Sequence, residues 1–382
     1  MQPITQTTIE QEKNMSLLAK RTQRIDSSGI RRIFELARSM KDPINLSIGQ
    51  PDFEVPDPIK SAAIDAIQQG HNSYTPTQGI VPLREQLIAE EKAFTGRDYS
   101  LNQMLITSGV SGGLFLALLA LVEAGDEVII PDPYFVMYKH LVNLNEGTPV
   151  YLDTYDDGFT INPDKLEALI TSKTKLLLLN SPGNPTGCIF PADQLKAIAK
   201  ICDKHGVLII TDEIYREFAY APMRSIAEFT DNCLLLAGHS KSFAMTGWRL
   251  GYAAGPIEVI DAMATLQQYS FVCAPSVAQY AALAAPQTDM SQQLADYALK
   301  RNLMSEALSS SFEVSSPDGA FYLFVKAPEG HDGDTFTELA IKNNVLIIPG
   351  SVFSERSSHF RICYTVPDAQ LHKGAEVLCS LV

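Results

Sequence analysis

Lys175-Leu176-Leu177-Leu178-Leu179-Asn180 is followed by a Pro- and Gly-rich turn, by the helical pattern of Pro191–His205 and by the apolar run Val207–Thr211. Short apolar runs without polar alternation, joined through a helix, mark strands of a parallel sheet buried on both faces. Working outward, the unit recurs. Met104–Thr107 precedes a helix at Ser111–Glu123, and Glu127–Ile130 follows it; Cys233–Ala237 and Arg249–Ala254 extend the series. The expected fold class is α/β, a three-layer α/β/α arrangement around a mostly parallel sheet, with a smaller α+β domain.

That smaller domain is read from a change of pattern after about Ala285. Asp289–Ser310 reads as one long polar helix, followed by a strand at Ala320–Val325 and a helix near Asp334–Asn343. Strands at Val345–Ile348 and Phe360–Tyr364 and a last helix at Asp368–Val382 complete it. The Pro-rich stretch Pro51–Pro58 marks an early boundary. The expected division is a flexible N-terminal arm (1–20), a segment joining the small domain (21–58), a large domain (59–285) and the small C-terminal domain (286–382). No internal repeat or low-complexity tract is apparent.

Composition removes several function classes. Of 382 residues, 46% are hydrophobic and 19% charged, as in a soluble protein with a large core. A formal charge of -14 argues against nucleic-acid binding, which rests on Lys and Arg neutralising phosphates. The longest apolar run, Leu114–Val122, is too short to cross a bilayer, so no membrane association is expected. Met1–Lys13 is polar and lacks an apolar signal core. Six scattered cysteines form no metal-ligand spacing and read as reduced thiols in a cytoplasmic protein, with no metal site.

In sheets of this kind ligands bind beyond the carboxyl ends of the strands. Those ends offer Ser108-Gly109, Asn180 to Gly187, Asp212 to Tyr215, and Ser240-Lys241 with Arg249 beyond it. A glycine turn opening a helix, an amide, a carboxylate with a phenol, and a lysine with an arginine together suit a phosphorylated aromatic cofactor. Each alone has a plainer reading. A lysine after a strand is usually a surface residue, Asp-Glu is a common helix cap, and Ser-Gly turns before helices are frequent.

The order of these motifs carries a resemblance. Asn180-Ser181-Pro182-Gly183-Asn184-Pro185-Thr186-Gly187 resembles the S-P-x-N-P-T-G signature of class I/II (fold-type I) aminotransferases. Thr211-Asp212-Glu213-Ile214-Tyr215 is similar to the D-E-x-Y motif of that family, and Ser240-Lys241-Ser242 through Trp248-Arg249-Leu250-Gly251-Tyr252 to its Schiff-base lysine segment. The resemblance runs from Ile48-Gly49-Gln50-Pro51-Asp52-Phe53 to Phe360-Arg361-Ile362. It is closest to the bacterial-type subgroup of aspartate, alanine, aromatic and kynurenine aminotransferases.

What the resemblance implies is specific. The fold would be that of the pyridoxal-phosphate-dependent transferases, with pyridoxal 5'-phosphate held as an aldimine on Lys241, whose free amine then shuttles the substrate α-proton. Asp212 would keep the pyridine nitrogen protonated, while Tyr215 and Asn184 would reach the ring oxygen. The amides of Gly109 and Val110, the Ser111 hydroxyl and Arg249 would hold the phosphate. Tyr74 would reach the phosphate of the neighbouring subunit, which implies a homodimer with shared sites. Tyr134 would stack on the ring, with core packing as its alternative. Arg361, with Gly49 and Asn184, would bind the substrate α-carboxylate; an exposed edge arginine is its alternative.

The implied reaction moves the amino group of an L-amino acid to a 2-oxo acid by a ping-pong mechanism. Aspartate, alanine or an aromatic amino acid would be the donor, and 2-oxoglutarate or pyruvate the acceptor. A C-S β-lyase on the same scaffold is the alternative, and a ligand-sensing transcription regulator a third class that the acidic charge disfavours. Two positions depart from the pattern: Gly238 stands where some relatives place a phosphate-binding Ser, and Gly183 where many have Asn or His. Donor choice would depend on Ser28-Gly29-Ile30, on Gly109–Ser111 and on the partner subunit. Arg31 and Arg32 would favour an acidic substrate at the entrance, or simply form a solvated helix face.

Overall fold

Leu176 and Leu178 face one side of a central sheet and Leu177 and Leu179 the other, and all four are buried. That double burial is why this strand shows no polar alternation. The computed structural model describes residues 18–26, 29–314 and 316–382. Its strands are β1 (Ile44–Asn45), β2 (Met104–Thr107), β3 (Glu127–Asp132), β4 (Thr148–Asp153), β5 (Thr174–Asn180) and β6 (Leu208–Asp212). They continue with β7 (Cys233–Gly238), β8 (Gly251–Ala254), β9 (Tyr322–Lys326), β10 (Val345–Leu346), β11 (Ile348–Pro349) and β12 (His359–Cys363).

Seven strands form the main sheet in the order β2-β8-β7-β6-β5-β3-β4. All pairings are parallel except those of β8, which runs antiparallel to both β2 and β7. On one face, Ile106, Leu177, Leu179 and Ile209 pack with helices Asp57–Gln68, Val81–Thr95 and Ala192–His205. On the other, Leu105, Leu176, Leu178 and Leu236 pack with helices Gly109–Leu121 and Ile257–Gln268. Each buried leucine contributes about 1.5–3 kcal/mol. The result is the expected three-layer α/β/α arrangement.

Register aligns the chemistry along one sheet edge. Asn180 pairs with Asp212, Asp212 with Leu236, and Gly251 with both Gly238 and Thr107. Because β8 is reversed, its first residue lies beside the last residues of its neighbours. The carboxyl ends of β2, β5, β6 and β7 and the start of β8 therefore share one rim.

Toward the C-terminus, β9, β11 and β12 form a three-stranded antiparallel sheet in the order β11-β12-β9. Strand β1 pairs in parallel with β10. Helices Ser291–Leu308, Gly333–Lys342 and Asp368–Cys379 cover these strands, around a core that includes Phe321, Tyr322, Phe336 and Phe360.

Three details differ from the sequence expectation. The run at Val345–Ile348 divides between two sheets, β10 and β11. The Arg249–Ala254 strand begins only at Gly251, because Arg249 turns the chain with φ at 54°. Strand β4 was not expected. Most of the proposed N-terminal arm, Ser28 and the side chains of Arg31 and Arg32 lie outside the described residues. Among the described residues no helix is long and apolar enough to cross a membrane.

Candidate active site

A cavity of about 340 Å³ opens at the shared rim, and Lys241 reaches into it from the short helix His239–Ser242 after β7. Its Nζ donates to the carbonyl of Gly49 at 2.7 Å. Burial lowers its pKa from 10.5 to about 8, and Arg361 and Arg249 push the same way. The amine is therefore far more available as a neutral nucleophile than an exposed lysine.

Asp212 ends β6 and faces the same cavity. Its Oδ2 accepts from the Tyr138 hydroxyl at 2.9 Å and its Oδ1 from the Ile214 amide at 3.2 Å. Burial pushes its carboxyl up to about 6, opposed by those bonds and by Lys241. A buried carboxylate of this kind is best satisfied by a cationic N–H in the cavity.

The anion end lies where the helix Gly109–Leu121 begins. The first turn of a helix leaves amides unpaired and carries a partial positive charge. Gly109 has φ at 69°, and a Cβ there would lie 2.5 Å from Nη2 of Arg249, so the guanidinium rests against bare backbone. Arg249 Nη1 donates to Thr246 O at 2.8 Å, which leaves the other nitrogens for a ligand. Val110, Ser111, Ser240 and Thr246 line this end.

Arg361, on β12, forms the opposite wall and is 1% exposed. Nη1 donates to Asn184 Oδ1 at 2.9 Å and Nη2 to Ser47 O at 2.8 Å, while Nε has no partner among the described residues. The guanidinium lies 4.5 Å from the ring centroids of both Tyr322 and Phe353. Asn184 is itself fixed, its amide donating to Asn180 Oδ1 at 2.7 Å. Tyr215 shares a 2.8 Å hydroxyl–hydroxyl bond with Tyr322, and a Cβ on Gly49 would lie 2.2 Å from the Tyr322 oxygen.

The structure thus brings Lys241, Asp212, Tyr215, Asn184, Arg249, Arg361, Gly49, Val110 and Ser111 to one cavity, with Gly109 against Arg249. It does not bring Tyr134 there. Tyr134 stacks on Tyr151 at 5.3 Å, its hydroxyl donates to Glu355 at 2.7 Å and its amide donates to Phe353 O. These bonds hold its ring in a small adjoining cavity, and Phe135, one residue on, lines the main one. Gly183 also lies in the adjoining cavity. Tyr74 lies outside both and is 83% exposed in the single chain.

Gly238 is explained by packing, since a Cβ there would lie 2.7 Å from Gly251 Cα. Sequence reasoning marked Asn180 and Ser240 only as strand-end positions and missed Phe135, Tyr138, Thr246 and Tyr322 as parts of this site. Asn180 and Ser240 stand at strand ends, where the edge rule pointed. Tyr322 sits mid-core in the sequence pattern and gave no signal.

An amine shifted toward its neutral form, a buried carboxylate, a helix start beside Arg249 and the fixed Arg361 thus share one cavity. The model of the family "Aminotransferase class I and II" matches residues 41–378, and the chain belongs to that family. It is 39% identical to an aspartate aminotransferase of Geobacillus stearothermophilus, covering 88% of this chain and 91% of the relative. It is 35% identical to aromatic-amino-acid aminotransferase 2 of Thermococcus litoralis, covering 94% and 96%. Among solved structures, aspartate aminotransferase from Thermus thermophilus with maleate superposes with a TM-score of 0.92 at 33% identity, covering 96% of this chain and all of that one. The protein is an aminotransferase.

Proposed function

We propose that the cavity holds pyridoxal phosphate and that the chain transfers the amino group of an L-amino acid to a 2-oxo acid. The single observation carrying this is that Lys241, Asp212, Arg249 and Arg361 line one cavity with distinct chemical tasks. The residues fit the group. Gly109 has no side chain to block the cradle beside Arg249, Asp212 is a buried acceptor, and Lys241 is a lysine that burial shifts toward its neutral form. When bound, the cofactor supplies an electron-withdrawing ring that stabilises negative charge at the substrate α-carbon.

The chain's own residues divide the rest. Arg249, with the amides of Gly109 and Val110 and the Ser111 hydroxyl, would hold the phosphate; Asp212 would partner the ring nitrogen, and Tyr215 and Asn184 the ring oxygen. Phe135 takes the stacking position expected of Tyr134. Arg361 orients the substrate carboxylate, with the backbone of Gly49 beside it on the cavity wall. Nζ of Lys241 then carries the proton to and from the α-carbon.

The finer assignments rest on the relatives. Names among them specify aspartate and aromatic amino acids, so these lead as donors, with alanine behind them and 2-oxoglutarate or pyruvate as acceptor. A homodimer with Tyr74 reaching the partner's phosphate is supported by the exposure of Tyr74 and Tyr269, at 83% and 88%. A division into large and small domains near residue 285 and a cytoplasmic setting belong to the same proposal. The six cysteines, all free, are compatible with the latter.

The test mixes purified enzyme loaded with pyridoxal phosphate with a panel of amino acids and no acceptor. The expected result is one equivalent of oxo acid per site and a bleached visible band, restored by 2-oxoglutarate or pyruvate. Sustained release of pyruvate and ammonia would overturn it in favour of a lyase.

A further inference from the structure

We propose that Tyr322 is a positioning residue that commits the Tyr215 hydroxyl to donate into the cavity and couples it to the carboxylate anchor Arg361. The inference rests on the reading of the cavity as a pyridoxal-phosphate site and deepens it. Tyr322 occupies the centre of the substrate side. Its hydroxyl lies 2.8 Å from that of Tyr215, its ring face lies 4.5 Å from the Arg361 guanidinium carbon, and its oxygen fills the space beside Gly49. It is 1% exposed, and Tyr215 5%.

Two hydroxyls in contact must choose a direction. Each has one proton, and each has the other as its only hydrogen-bond partner among the described residues. If Tyr215 donated to Tyr322, its proton would be spent inside the protein and Asn184 alone would be left to donate to the ring oxygen. With Tyr322 donating, Tyr215 accepts one bond and is free to make another into the cavity. Accepting a bond also strengthens a hydroxyl as a donor. Burial raises both phenols, so both hydroxyls keep their protons and each can donate. Gly49 is required because any side chain there would evict the Tyr322 oxygen.

The same ring also touches Arg361, so hydroxyl and ring have separable duties. Tyr322→Phe removes the hydroxyl and keeps the ring beneath the guanidinium. Tyr322→Leu removes both.

The experiment is a pH titration of the visible band of the loaded enzyme for wild type, Tyr322→Phe, Tyr215→Phe and the double variant, with donor KM measured alongside. A bond donated to the ring oxygen favours its anionic form and lowers the midpoint, so weakening that donor raises it. Tyr322→Phe should move the midpoint up by about 0.2–0.6 pH units with donor KM little changed. Tyr215→Phe should move it further, and the double variant should match Tyr215→Phe alone, because Tyr322 acts through Tyr215. Tyr322→Leu should add a roughly three- to tenfold rise in donor KM from the lost cation–π contact. An unmoved midpoint in Tyr322→Phe, with a shift in Tyr215→Phe, would overturn the role of Tyr322 alone. Additive shifts in the double variant would overturn it equally. Absence of a visible band in the wild-type protein would remove the cofactor reading and this inference together.

Discussion

Nζ of Lys241 donates to the Gly49 carbonyl at 2.7 Å, across 192 residues of sequence. The contact holds the amine at the cavity floor beside the residue expected to flank the substrate carboxylate. With a pKa of about 8, about a tenth of this amine is neutral at pH 7, against well under a thousandth for an ordinary lysine. Borohydride reduction in the presence of pyridoxal phosphate should therefore tag Lys241 before any other lysine. Peptide mass spectrometry checks this, and Lys241→Ala should lose both the tag and catalysis while its circular dichroism stays unchanged.

Arg361 depends on shape as well as charge. Its two donated bonds and its place between Tyr322 and Phe353 set the fork's orientation. Arg361→Lys keeps the charge and loses the fork. Donor KM should rise roughly 10- to 100-fold, about 1.5–3 kcal/mol, with pyridoxal phosphate affinity little altered. Equal losses in both would move Arg361 from the substrate to the cofactor.

Two glycines separate backbone cost from site cost. Gly96 and Gly109 both have positive φ, at 75° and 69°, but a Cβ at 96 meets nothing within 4 Å whereas one at 109 strikes Arg249. Alanine at either position should cost about 1 kcal/mol of stability for the backbone alone. Only Gly109→Ala should also weaken pyridoxal phosphate binding, by about tenfold or more. Thermal melts and cofactor titrations distinguish the two effects.

Glu213 follows Asp212 but takes no part in the cavity. It is 1% exposed; its Oε1 accepts from Ser225 and Thr211, its Oε2 has no partner among the described residues, and Arg216 and Glu91 face it. Burial pushes its carboxyl from 4.5 to about 8. Between those values the folded state binds the extra proton, so stability falls as pH rises through the window and the full cost is present above it. Glu213→Gln should flatten this loss, which is on the order of a few kcal/mol. Urea unfolding at pH 5.5 and 8.5 tests it, and parallel pH profiles for the two proteins would contradict the assignment.

Six of the seven main-sheet strands were legible because burial on both faces writes an unbroken apolar run. The seventh, β4, is an edge strand with Pro149 in it and Leu152 its one fully buried residue, so its sequence looks like a loop. The antiparallel direction of β8 was not legible, since a four-residue apolar strand carries no sign of its polarity. Site residues at strand ends were readable because motif and position agree. Tyr134 lines the adjoining cavity and Phe135 the main one: neighbouring side chains in this turn point different ways, and tertiary contacts to Tyr151, Glu355 and Phe353 fix which faces where. Tyr322 was invisible, because a tyrosine in a strand reads as packing until its hydroxyl partner is known.

The pairing of Gly238 with Gly251 has a further consequence. The segment between them leaves and rejoins the sheet at one point, and Lys241 and Arg249 both ride on it. Its length is consequently a fixed dimension of the enzyme. One inserted residue would slide the arginine relative to the lysine, whereas the turn at Gly330, with open space around it, could absorb the same insertion. Exchanged whole between relatives of equal segment length, 239–250 would travel as a cassette, carrying the amine and the arginine in unchanged mutual geometry.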